Sequence, residues 1–428
     1  MPSSRPCRHL WYNSVTLRHG EHRLTHNGHA ATPSAARPHS TAWLIGVGLG
    51  TRLLVDTAKQ MFGPFLAIFA AGMGMDIVAL GRLLGARNAV GITATIFGAL
   101  ADRFGYRRIL QAELVISGAG MILIGASRSP WALMLGMLTV GVGTAAFVPS
   151  LQAYLSARLP YDRRARGLGI VEYAWALSNL VGLSAMGFLI QRTSWRAPFF
   201  ILGAGIAASA WLFQGAPPVA PADPPPQVQG GSLSLGAKGR RLVAFRANGA
   251  SAWATILGMG LLVLAGMNVS IVYGAWLQRE YGLDAAALGA TALVVGAADL
   301  AGSVLVSVAA DRLGKRRSVL GGLALSLVAY ALLPVLNRGL VPALAGIALM
   351  RFAFEFSIVS LIPLLSEQAP EERGKALALG AVVGLAGASV ASVSGPWALT
   401  RLGVAGLAAV SLAATVGCLA VVRAWVRE

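Results

Sequence analysis

The chain has 428 residues, 56% hydrophobic and only 12% charged, with a mean hydropathy of +0.65. Soluble domains carry about a quarter charged residues, so this composition excludes an ordinary water-solvated globule and points to a chain mostly solvated by lipid. The net charge of +18 does not mark a nucleic-acid binder, because the basic residues fall in short runs between apolar stretches, as membrane orientation requires. Cys7 and Cys418 stand far apart, one in a polar tail and one in an apolar stretch, and suggest neither a disulfide framework nor a metal site.

Residues 1–41 read as a disordered cytoplasmic tail or as the product of a start codon placed too early. They hold all six histidines: His9, His19, His22, His26, His29 and His39. His22, His26 and His29 are close enough for a metal-binding tail, but only Glu21 would support one there.

From residue 42 the chain reads as twelve apolar stretches, each of about the 20 residues a span needs: 45–71, 78–100, 108–127, 131–156, 168–191, 196–214, 249–277, 284–307, 317–336, 340–364, 376–400 and 403–423. Arginines and lysines concentrate in the even-numbered loops, which include Arg103, Arg107, Arg108, Arg163, Arg164, Lys238, Arg240, Arg312, Lys315, Arg316, Arg373 and Lys375. By the positive-inside rule both termini are expected in the cytoplasm. Residues 215–247 open on a proline cluster (Pro217, Pro218, Pro221, Pro224, Pro225, Pro226) and continue with Gly and Ser, a linker composition. The expected organisation is a tail (1–41), a six-helix bundle (42–214), a cytoplasmic linker (215–247) and a second six-helix bundle (248–428). The basic end of the linker would either lie on an anionic lipid surface or simply be solvated.

The two halves match at three points in nearly constant register. Gly74-Met75-Asp76 to Gly81 matches Gly282-Leu283-Asp284 to Gly289. Ala101-Asp102-Arg103-Phe104-Gly105 matches Ala310-Asp311-Arg312-Leu313-Gly314, and Pro160 to Arg163 matches Pro370 to Arg373. Three matches in order indicate a parallel repeat, which would put a substrate site between the halves near the bilayer midplane.

The run Gly98-x-Leu100-Ala101-Asp102-Arg103-x-Gly105-x-Arg107-Arg108 resembles the loop between the second and third helices of the major facilitator superfamily. The resemblance extends over about residues 42–423. It implies an all-α membrane protein with twelve transmembrane helices as two parallel six-helix repeats. It also implies that Gly98, Asp102, Arg103, Gly105, Arg107 and Arg108, with Asp311, Arg312, Gly314 and Arg316, form a cytoplasmic gate. Within the superfamily the chain looks most like bacterial drug or sugar efflux permeases. The antiporter pattern of the fifth helix is eroded here to Gly182-Leu183-Ser184-Ala185-Met186-Gly187, and Met137 stands near the place of a fourth-helix arginine.

A charge at the centre of a span costs about 2.5–3.5 kcal/mol to insert, so it is compensated or used. In the first span Arg52, Asp56 and Lys59 share one helix face, with Gln60 adjacent. They read either as a self-neutralising cluster or as a cavity lining in which Asp56 exchanges a proton. Arg87 needs a carboxylate on another helix or an anionic substrate. Asp299 has no local counterion and is the second proton-coupling candidate. Arg351 and Glu355, four residues apart, read as a structural pair or as ligands, with Glu355 a third coupling candidate. Glu172, Trp175, Asn179 and Gly182 form a stripe that would line a polar cavity, although Glu172 would also suit a loop arginine. Asn268, at the repeat position of Gln60, and Tyr273 are further cavity candidates, and Glu113 is expected against the arginine-rich loop. With no histidine after His39, any proton carrier must be a carboxylate. Charges among the candidates balance, so the sequence favours neither a cationic nor an anionic substrate.

The linker run Gly231 to Lys238 lacks a P-loop ending, and Gly141-Val142-Gly143 lies inside an apolar stretch with no preceding strand, so neither indicates a nucleotide site. The expected protein is not an enzyme and needs no cofactor beyond a proton gradient. It is a monomer in a bacterial inner membrane whose partners are the bilayer and a small-molecule substrate. It would export a small organic solute in exchange for protons. The alternative is an importer or facilitator of a sugar or organic acid, and more remotely a membrane sensor or lipid-processing enzyme.

Overall fold

The apolar stretches fold as helices, and the described residues contain no strand. The computed structural model describes residues 41–91, 100, 104–214, 244–245 and 248–426. The readings made for the tail, for most of the linker and for Gly98, Asp102 and Arg103 lie outside these residues.

The first stretch is two helices, α1 (Thr41–Gln60) and α2 (Phe62–Gly72), bent by 56° at Met61. Next come α3 (Ile77–Val90), α4 (Tyr106–Ala126), α5 (Pro130–Thr144) and α6 (Phe147–Arg158). Helix α7 (Tyr161–Leu177) passes through a π-turn at Ser178–Gly182 into α8 (Leu183–Arg192), and α9 (Ala197–Leu212) follows. After the linker come α10 (Gly249–Ser270), α11 (Tyr273–Tyr281), α12 (Ala285–Leu313), α13 (Lys315–Leu336), α14 (Leu340–Gln368) and α15 (Arg373–Trp425).

Eight helical segments are long and apolar enough to cross a membrane, or nine if α1 and α2 count as one span. Fewer separate spans are seen than the twelve expected stretches, for three visible reasons. Helix α3 is described only to Val90, and α9 has just 16 residues. Helix α15 covers the last two stretches without a loop, turning only at Gly403, where φ is 66°. The outside of the bundle is apolar, with Trp131, Trp211, Leu135, Val181, Val308 and Val341 all exposed. In water such a surface would aggregate, whereas lipid solvates it.

Matched sequence segments adopt matched local structure. Asp76 accepts a hydrogen bond from the Ala79 amide at 2.6 Å, and Asp284 accepts one from Ala287 at 2.8 Å, so each caps a helix start. Gly105 and Gly314, ahead of α4 and α13, have φ of 88° and 83°, a region open to glycine and strained for other residues.

Residues before the linker pack against residues after it mainly near one end of the bundle, the end whose turns carry few arginines. Gly81 of α3 leaves no room for a Cβ against the Ser392 carbonyl of α15, and Asn88 donates to Ser392 Oγ at 3.2 Å. Gly187 of α8 lies against Ala285 and Gly289 of α12, and Ser184 donates to the Gly289 carbonyl at 3.1 Å. Gly274 of α11 sits on the backbone of Pro64 in α2. Such small-residue contacts let helix backbones approach where lipid supplies no hydrophobic drive. At the arginine-rich end Arg107 donates to the Gln214 carbonyl, Arg316 donates to the Arg423 carbonyl and Lys315 pairs with Glu367, three contacts that each stay on one side of the linker. Arg108 is exposed, and only the backbone is described at Asp311 and Arg312.

In a background with both native cysteines replaced, Asn88→Cys with Ser392→Cys is expected to cross-link on mild oxidation. Adding Gly81→Leu is expected to cut the yield severalfold, read as the cross-linked band on a denaturing gel.

Candidate functional site

Two helices are interrupted side by side, α1/α2 at Met61 and α10/α11 at Ile271–Val272. Broken backbone at membrane depth is tolerated where it lines a cavity. A cavity of about 320 Å³ lies beside both breaks. Lys59, Gln60 and Phe62 border it from the first break, and Ser270, Ile271 and Tyr273 from the second. Arg87 and Asn88 of α3, Thr144 of α5, Trp175 and Asn179 around the π-turn, Arg351 of α14 and Ser392 of α15 complete its polar and aromatic wall. Its size is at the low end of the roughly 300–1,000 Å³ typical of small-molecule sites.

Of the residues singled out in the sequence as cavity candidates, Lys59, Gln60, Arg87, Trp175, Asn179, Tyr273 and Arg351 all border this one space, while Glu172 and Asn268 do not. Glu172 is held by Arg52, which donates through Nη2 to Oε2 at 2.7 Å and through Nη1 to Oε1. Gln152 also donates to Glu172, at 2.7 Å. The partner of Glu172 is thus an arginine inside the first span rather than one in a loop. Asn268 is fully buried against α15: its Nδ2 donates to the Leu407 carbonyl and Ser411 Oγ, and its Oδ1 accepts from Ser394. Its amide joins helices, unlike that of Gln60. Gln60 accepts from Asn179 Nδ2 at 2.7 Å and donates to Ser178 Oγ, which ties the α1 break to the π-turn. A π-turn shifts the helix face by about one residue and often marks a functional site.

The ion pairs also differ from those that spacing suggests. Arg52 Nε reaches Asp56 at 3.3 Å, so Arg52 serves two carboxylates at once, Asp56 and Glu172. Lys59 lies within electrostatic reach of Asp56 but, among the described residues, forms no ion pair with it. Arg351 does not pair with Glu355 four residues on. It crosses to α12 and grips Asp299 bidentately, Nε to Oδ1 at 2.9 Å and Nη2 to Oδ2 at 2.7 Å, and its third nitrogen donates to Ser270 at 3.0 Å. Asp299 therefore does have a counterion, on another helix. Glu355 accepts instead from Ser303 at 2.9 Å.

Asp56, Asp299 and Glu355 all lie behind the cavity wall; none borders the cavity. Glu113, expected near the arginine-rich loop, is fully buried beside Ser150. Neither of its carboxyl oxygens makes a hydrogen bond of normal geometry among the described residues. Asn88 and Ser392 were missed in the sequence, although a polar residue beside Arg87 in an apolar stretch was a usable signal.

Removing one partner of a buried ion pair leaves an uncompensated charge, at a cost of about 3–5 kcal/mol. Arg351→Met is expected to lower unfolding stability by about that amount, and adding Asp299→Leu is expected to restore most of it. Glu172→Gln should cost clearly less, since that side chain is 46% exposed. Unfolding of the purified variants in mixed detergent checks all three.

The family model of the Major Facilitator Superfamily matches residues 49–298 and again 255–428. An MFS-type transporter of Bacillus subtilis, YceJ, is 27% identical over 300 residues, 69% of this chain and 74% of that protein. An MFS-type efflux pump of Mycolicibacterium smegmatis is 26% identical over 287 residues, 64% of each protein. The multidrug resistance protein MdtH of Shigella flexneri is 28% identical over 172 residues, 37% of this chain and 42% of that protein. A bacterial homologue of the human lysosomal transporter Spinster, crystallised inward-facing and unoccupied, superposes with a TM-score of 0.67 at 15% identity. That match covers 90% of this chain and 94% of the other. The chain belongs to the major facilitator superfamily of membrane transporters.

Proposed function

We propose that the chain is a secondary transporter in which two six-helix halves, 42–214 and 248–428, rock about the central cavity to expose it to one side of the membrane at a time. The observation that carries this reading is the cavity itself. Segments from both sides of the linker border it, it lies beside two broken helices, and close glycine packing at the arginine-poor end overlies it. The positive-inside rule assigns the arginine-rich end to the cytoplasm; in this reading the arrangement corresponds to an inward-facing state with both termini inside. The names of the related efflux pump and multidrug resistance protein favour export of a small organic solute across a bacterial inner membrane.

Proton entry is the driving force in this reading, and Asp299 is the best-placed carrier. Arg351 borders the cavity while both of its bonds to Asp299 lie behind the wall. Protonating Asp299 would weaken that grip and release the guanidinium toward the cavity. The proton is thereby linked to the wall that the solute touches, as a differential effect on two states requires. Asp56 is the second carrier candidate, shared with Arg52 in the other half.

The test uses everted vesicles with an acidic interior and a pH-sensitive dye, challenged with a panel of drugs, sugars and organic acids. Solute-dependent proton loss is expected, abolished in Asp299→Asn and reduced in Asp56→Asn. Solute movement with no proton flux would replace antiport with facilitated transport.

A further inference from the structure

We propose that the cavity recognises an organic anion, with a compact acid group held between Lys59 and Arg87 and an aromatic or apolar body lying against Phe62, Trp175 and Tyr273. The proposal rests on the transport reading above and deepens it by naming the substrate class.

The charge around the cavity is one-sided. Three cations border it, Lys59, Arg87 and Arg351, and among the described residues no carboxylate does. Arg351 is already neutralised by its bidentate bond to Asp299. The other two form no ion pair among the described residues. There Arg87 makes one long contact, 3.4 Å to Oδ1 of its neighbour Asn88, and its Nη1 is buried with no hydrogen-bond partner. Its guanidinium stands over the Phe62 ring, 5.1 Å from the centroid, a position that stabilises a cation without neutralising it. Lys59 comes from α1, within electrostatic reach of Arg87 on α3, and forms no ion pair among the described residues.

Asp56 lies within electrostatic reach of Lys59 but is hydrogen-bonded by Arg52 and does not border the cavity, and Glu113 lies behind the cavity wall. Two like charges bordering one low-dielectric space repel, and a guanidinium with a nitrogen buried without a partner holds its charge at a cost. An anion between them relieves the repulsion and supplies the missing countercharge. It would gain charge-assisted hydrogen bonds from a planar donor and a point donor. The remaining wall sets the rest of the ligand. Phe62, Trp175 and Tyr273 offer ring faces, and the volume of about 320 Å³ admits a small aromatic acid rather than a large drug.

The test is binding by the purified full chain in detergent, read as a shift in melting temperature over a concentration series. The probes are a panel of aromatic and alkyl carboxylates and sulfonates. Each acid is paired with its amide or alcohol and with the amine of the same body, for example indole-3-acetate with tryptophol and tryptamine. Acids of suitable body are expected to stabilise the protein, while their uncharged and cationic pairs do so at least about tenfold more weakly. Lys59→Gln and Arg87→Gln are each expected to weaken acid binding by about tenfold or more. Lys59→Arg and Arg87→Lys keep the charge and are expected to retain most of it, so a folding defect in the glutamine variants does not decide the matter.

Three results would overturn the proposal: no acid stabilises a monodisperse preparation, the amines or neutral pairs bind as tightly as the acids, or acid binding ignores all four substitutions. Binding and flux fail separately. Acids that bind but do not move in vesicles would sink the transport reading and leave the anion site. Transported amines would do the reverse.

Discussion

A buried guanidinium in a lipid-solvated helix is costly without a counterion, and on each side of the linker one such arginine is held by a carboxylate on another helix. Arg52 bridges Asp56 on its own helix and Glu172 on α7, while Arg351 on α14 grips Asp299 on α12. These pairs cross between helices, so they set the rotation of each helix about its own axis. The rotation in turn decides which polar residues reach the cavity. With Arg52 turned toward Glu172, Gln60 two turns along meets Asn179 and Ser178. With Arg351 turned toward Asp299, its third nitrogen lands on Ser270 at the second helix break. Buried pairs of this kind contribute less to stability than to specifying one arrangement, and here that arrangement shapes the cavity wall.

The two charged clusters are not equivalent. On the Arg351 side the charges close on one another, and the coupling of a carboxylate to the cavity runs through a residue that touches both. On the Arg52 side that arginine makes the direct contacts to both carboxylates, and Lys59, within electrostatic reach of Asp56, borders the cavity together with Arg87. The two clusters thus meet the cavity differently: on one side the cation that borders it is held by a carboxylate, and on the other the bordering cations form no ion pair among the described residues.

Much of this was legible in the sequence where it depends on spacing within one helix. Trp175 and Asn179 share a face because they are one turn apart, and both border the cavity. The matched segments at Gly74 and Gly282 share a local geometry because the same Asp caps the helix two residues on. What spacing could not supply is which helix lies opposite. Glu355 is four residues from Arg351 and Asp299 is fifty-two away, yet the distant one wins, because the two α14 residues need only a small difference in direction to meet different neighbours. The sequence matches set Asn268 opposite Gln60, and both are amides, but one faces α15 and the other the π-turn. The balance of charge expected for the cavity failed for the same reason. Carboxylates and cations were both present in the spans, and only the three-dimensional arrangement put the carboxylates behind the wall.

The most direct measurement is the side from which the cavity can be reached. Asn179→Cys, in a background lacking the native cysteines, would be labelled with a membrane-impermeant maleimide applied to one membrane face at a time, with and without a cross-link joining residues 88 and 392. With the cross-link in place, labelling is predicted from the arginine-rich side only; without it, from either side. Labelling of the cross-linked protein from the arginine-poor side would contradict a cavity closed at that end and opened in alternation.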